Sequence, residues 1–108
     1  MAAKTKKSKV YDPSKYLDSA EAIAEYISEA FLTHDQKAIT RALGEAAKAR
    51  GMTEIAEQSG LSRESLYKAL SADGNPELDT VLRVIEALGV DLQAKPSEEP
   101  EPKEREYA

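Results

Sequence analysis

The chain has no cysteine and no tryptophan, and it holds one histidine, one phenylalanine and five tyrosines. Each shortage closes a class of function. Without cysteine there is no disulfide, no thiolate metal site and no thiol nucleophile, and a reducing cytoplasm is the natural setting. His34 has no second histidine with which to hold a metal, and at the end of a predicted helix a solvated or capping role suits it. The five glycines are scattered turn and cap positions, not a phosphate-binding loop. Serines lack a base, and paired carboxylates such as Glu98 and Glu99 lie in a tail where nothing holds them in a catalytic geometry. The expectation is a non-enzyme with no catalytic residues, no metal and no cofactor. No apolar run approaches the ~18 residues of a membrane span. The opening MAAKTKKSKV is basic, but no apolar stretch of the kind found in a signal peptide follows it.

What is present points to helices. At 108 residues the chain has room for one domain and its tails, and its apolar set is mainly Ala, Leu and Ile. The formal charge of −5 is a poor global signature for a binder of duplex DNA. Charge is unevenly spread, however: the first ten residues carry four Lys and no acid, whereas residues 11–94 are strongly acidic. Any DNA-facing patch must be local, and the acidic remainder suits a basic protein partner.

Four segments are expected: a basic flexible arm and extended stretch (1–17), an N-terminal helix (18–34), a compact domain (35–94) and a charged, Pro-rich disordered tail (95–108). Asp18 caps the first helix, with Glu21 three residues on, and Ile23, Tyr26, Ile27, Ala30 and Phe31 recur at helical spacing. Asp35 caps a second, whose inward stripe is Ile39, Ala42, Leu43, Ala46 and Ala47, and Gly51 stops it. Lys37, Arg41, Lys48 and Arg50 mark its outer face. Residues 53–59 and 63–70 form two short helices. Residues 79–88 form a fifth, with Val81, Leu82, Ile85 and Leu88 inward and Gly89 after it. Residues 90–94 alternate weakly, the pattern of a short edge strand. The fold class is all-α, a five-helix bundle with flexible N- and C-terminal tails.

The informative stretch is TEIAEQSGLSRESLYKAL, residues 53–70. A helix-turn-helix brings two short helices together steeply over a three- or four-residue turn, which requires a small residue where backbones approach and apolar residues in the angle. Ala56 is the small residue, Gly60 supplies a positive φ, Leu61 plugs the corner, and Ile55 and Leu66 face the core. Ser62 caps the second helix. An ordinary helical hairpin with a glycine cap competes for the same stretch.

This stretch resembles the phage repressor and Cro family of helix-turn-helix domains, although Ala69 stands where that family has a larger aliphatic residue; Leu70 follows it. Over residues 11–94 the chain resembles addiction-module antidote proteins related to HigA-type antitoxins, through YDPSKYLDSAEAIAEYISEA and ALGEAAKARGMTEIAEQSGLSRESLYKALSADGNPELDTVLRVIEALGVDL. The resemblance implies a type II toxin-antitoxin module, with two tasks: neutralising a small RelE/HigB-like toxin that cleaves messenger RNA, and repressing the shared operon.

If the motif binds DNA, the helix beginning at Arg63 enters the major groove. Arg63, Glu64, Tyr67 and Lys68 then face base edges, Arg63 to guanine and Glu64 to cytosine or to Arg63. Thr53, Ser62, Ser65 and Asn75 are expected at phosphates. One such domain reads few base pairs, so a homodimer over a palindromic operator is expected, through the fifth helix with residues 90–92 or through the helix around Tyr26. The first helix carries Glu21, Glu25 and Glu29 as an acidic ridge preceded by Tyr11, Tyr16 and Leu17, and these six are expected to touch a basic toxin. Against these stand plainer readings: solvated first-turn charges at Arg63 and Glu64, Tyr67 packed on its own domain, and glutamates that only keep the first helix soluble. At the level of function, the alternatives are a stand-alone transcriptional regulator, or a protein-interaction module that has lost DNA binding.

Overall fold

A computed structural model describes residues 17–98. Tyr11, Tyr16, the rest of the basic arm and the tail beyond Glu98 lie outside the described residues. Five helices follow one another: α1 (Ala20–Leu32), α2 (Gln36–Arg50), α3 (Met52–Ser59), α4 (Arg63–Ala69) and α5 (Leu78–Ala87). The architecture is the all-helical, five-helix one expected.

Local chemistry sets the helix ends. Ser19, not Asp18, caps α1: its Oγ accepts the Ala22 N–H at 3.1 Å. Moving the cap by one residue leaves Leu17 buried in the core, 5% exposed, so it packs inside and presents no surface to a partner. Asp35 caps α2 through the Lys37 N–H. Between α1 and α2 the chain turns at His34, whose φ of +56° makes it the one non-glycine residue with positive φ among those described. Such a residue stores about 1–2 kcal/mol of strain. His34→Gly is therefore expected to raise the unfolding free energy by up to about 1 kcal/mol, the rest being offset by the looser unfolded chain; urea denaturation measures it.

One hydrophobic core joins all five helices. Ile23 and Ile27 from α1, Leu43, Ala46 and Ala47 from α2, Ile55 and Ala56 from α3, Leu66 from α4, and Val84, Ile85, Ala87 and Leu88 from the α5 end fill it. The first helix is thus packed along α2 and shares the core of the remaining helices. At Gly44 the helices come so close that an added Cβ would lie 3.1 Å from the Leu70 carbonyl oxygen. Leu70 is itself buried in the core.

Three expectations fail here. Leu82 points outward, 47% exposed, and Val84 takes its place, so the inward stripe is Val81, Val84, Ile85 and Leu88, the i, i+3, i+4, i+7 pattern. Residues 90–94 form no strand. Gly89, with φ +79°, ends α5 in a Schellman turn, its own N–H returning to Glu86 O and that of Val90 to Ile85 O at 3.2 Å. The apolar Val90 belongs to that cap, and an isolated strand would have nothing to pair with. Arg50 is half-buried and donates through Nη1 to the Leu88 carbonyl at 3.1 Å, a cation placed on the carbonyl end of α5.

Candidate functional site

The α3–α4 pair is built as its sequence requires. Gly60 takes φ +80°, and its N–H and that of Leu61 both return to the Ala56 carbonyl, at 3.0 and 3.2 Å. Leu61 is half-buried in the corner. Ser62 then starts α4 by accepting the Ser65 N–H at 3.0 Å and donating its hydroxyl to Ser65 Oγ at 2.9 Å. Beneath, Ile55 and Leu66 are fully buried. Arg83 of α5 locks the end of α3 from outside: Nη1 donates to the Ser59 carbonyl at 3.4 Å while Nε pairs with Asp79 at 3.0 Å.

With Leu66 inward, the opposite face of α4 carries Arg63, Glu64, Tyr67 and Lys68, all exposed. Arg63 Nη2 donates to Tyr67 Oη at 3.3 Å, and its guanidinium lies 5.5 Å from the centre of that ring. Tyr67 keeps 47% of its surface in solvent, so the ring packs under Arg63 and not into the core. A residue four along the helix therefore holds the guanidinium over the exposed face of α4.

The polar residues around this face are also exposed. Thr53 lies at the start of α3, Ser62 and Ser65 at the start of α4. Asn75 Oδ1 accepts a hydrogen bond from Gln36 Nε2, which ties the α4–α5 loop to the start of α2.

Sequence reasoning did not reveal that the outer face of α2 meets the α4 face across an open groove of about 580 Å³. Lys37, Arg41 and Lys48 line one side, and Tyr67, Ser71 and Asp73 lie across from them. The one signal available beforehand was the four-residue spacing of Lys37 and Arg41, which puts both cations on one helix face.

A sequence profile of the family described as probable addiction module antidote proteins matches residues 7–96. The chain belongs to this family. It is also similar to an uncharacterized protein of Haemophilus influenzae, 42% identical over 93 residues that span 86% of this chain and 96% of that protein. No solved structure matches it. In this addiction module antidote, α1 displays Glu21, Glu25 and Glu29 in solvent, four residues apart on one face, while Ile23 and Ile27 anchor the opposite face in the core. The antidote's acidic and basic surfaces are thus carried by different helices. Among the described residues, no helix is long and apolar enough to cross a membrane, and no cluster of His, Cys, Asp and Glu is placed to hold a metal ion.

Proposed function

We propose that this antidote is a HigA-type antitoxin that reads its own operator through α3 and α4, in the manner of a phage repressor or Cro helix-turn-helix, and silences a RelE/HigB-like, messenger-RNA-cleaving toxin. The observation that carries the reading is the exposed face of α4: Arg63 held over Tyr67, with Glu64 and Lys68 beside it, all four solvent-facing among the described residues. Arg63 chelates a guanine, Glu64 accepts from cytosine, and Lys68 reaches guanine or phosphate. Thr53, Ser62, Ser65 and Asn75 fix the register on the backbone. Residues 35–94 are then the DNA-binding domain, and residues 18–34 turn Glu21, Glu25 and Glu29 toward the basic toxin, together with Tyr11 and Tyr16 of the preceding segment.

The active species is a homodimer in the cytoplasm, its two reading helices related by a two-fold axis over a palindrome. The outward leucines favour the α5 surface for that contact: Leu78 is 69% exposed, and Leu82 and Leu92 are also solvent-facing.

The deciding experiment is a salt-titrated binding assay of the full chain on its own promoter duplex, with and without the product of the neighbouring gene. Specific promoter binding plus a stable complex with the neighbour is expected. A stable complex without promoter binding would leave a protein-interaction module, and promoter binding without a partner a stand-alone regulator. Reversing Glu21, Glu25 and Glu29 to Lys is expected to weaken the toxin complex about tenfold or more at low salt, leaving promoter binding in place; surface plasmon resonance reads both.

A further inference from the structure

We infer that the groove between α2 and the α4–α5 loop is a seat for the DNA phosphate backbone, with Lys37 and Arg41 as the groups that neutralise it. This rests on the DNA reading above and adds a surface to it. The first observation is continuity. Tyr67 belongs both to the face of α4 that carries Arg63 and to the groove lining, so the two surfaces share a residue. A helix about 10 Å across in a major groove about 12 Å wide has sugar-phosphate on both flanks, and a cationic surface adjoining the reading face meets it.

The second observation is charge without a partner. Among the described residues, neither the Lys37 ammonium nor the Arg41 guanidinium has a hydrogen bond or an ion pair, and both are exposed. Lys48, by contrast, stands 4.0 Å from Glu45, so that carboxylate is already compensated. Asp73 is the remaining acid of the lining, against two free cations.

The third observation concerns placement. Lys37 is the second residue of α2 and Arg41 lies one turn further on, while the first turn of α2 carries no acid. The Asp35 carboxylate is spent on that end of the helix, accepting the Lys37 N–H, and leaves the two side-chain cations exposed toward the groove. Gln36, paired with Asn75, holds the loop wall at the same end of the helix.

The test uses the full chain on its promoter duplex and on a scrambled duplex of equal length. In the double variant Lys37→Ala, Arg41→Ala, the slope of log K against log salt becomes shallower by about 1.8, or about 0.9 for each phosphate contact. Binding at about 0.15 M salt weakens about thirtyfold on both duplexes, and the ratio of the two affinities stays fixed. Asp73→Asn tightens binding to both. Lys37→Glu weakens DNA binding while its thermal midpoint equals or exceeds that of the wild type, a pairing that a structural lysine would not give. An unchanged salt slope, with wild type still binding its promoter, overturns the inference; so does a loss confined to the promoter duplex, or one confined to the toxin complex. Failure of wild type to bind either duplex is a different result, which rejects the DNA reading itself.

Discussion

Leu66→Ala is expected to lower the unfolding free energy by about 3–4 kcal/mol, read as a shift of the urea midpoint at constant slope. Leu66 is fully buried and is the one residue within α4 that reaches the core completely. A helix of seven residues has no stability of its own, because isolated helices need about 12–15 residues even with favourable sequences. Its position depends on Leu66, on the Leu70 side chain just beyond it and on the Ser62 cap. Domains of this size have about 5–10 kcal/mol in total, so the substitution removes a large share and frees the very helix that carries Arg63. Leu82→Ala provides the contrast. Its side chain is half in solvent, and its truncation is expected to cost about 0.5 kcal/mol or less in the monomer. Equal losses at the two positions would mean that Leu82 is covered, as a dimer through α5 would cover it.

The same two residues show how far the sequence could be read. Existence, order and type of all five helices follow from apolar periodicity and from caps such as Asp35, Gly51, Gly60 and Ser62, whose roles are local and therefore legible. The rotation of α5 was not. Leu78, Val81, Leu82, Ile85 and Leu88 satisfy two overlapping helical stripes about 100° apart, and only packing against α3 and α2 selects the one containing Val84. The cap of α1 was ambiguous for a similar reason: Asp18 and Ser19 are both good caps, and burial of Leu17 decides between them. Val90 misled because a hydrophobic residue after a helix-ending glycine looks the same whether it closes a Schellman turn or begins a strand.

The candidate site divides along the same line. That Arg63, Glu64, Tyr67 and Lys68 share the exposed face of α4 was legible, since Leu66 fixes which way the helix turns. That Arg63 rests on Tyr67 is a matter of rotamers, and that α2 faces the α4–α5 loop across a groove is a matter of tertiary distance. Neither leaves a mark in a short sequence window. Leu17 shows the opposite case: its chemistry suited an exposed contact, and the fold buried it.

Arg63→Ala is expected to weaken promoter binding by about 1–3 kcal/mol, some five- to 150-fold, and to relax discrimination at one base pair while the salt slope changes by about 1 at most. The effect is on recognition and not on folding. Arg63 is exposed, its contact with Tyr67 at such a site is worth about 0.5–1 kcal/mol, and the thermal midpoint shifts by no more than a few degrees. Arg63→Lys is expected to recover little, because an ammonium cannot present the planar pair of N–H donors that matches guanine O6 and N7. Tyr67→Phe separates orientation from contact: it removes the Oη that accepts from Arg63 at 3.3 Å but keeps the ring beneath the guanidinium, so a smaller loss is expected than for Arg63→Ala. Leu66→Ala also weakens binding, yet it does so with the midpoint much lowered, whereas Arg63→Ala does so with the fold intact. Undiminished, sequence-selective binding by a folded Arg63→Ala protein would remove α4 from the operator and return Arg63 to the role of a solvated first-turn charge.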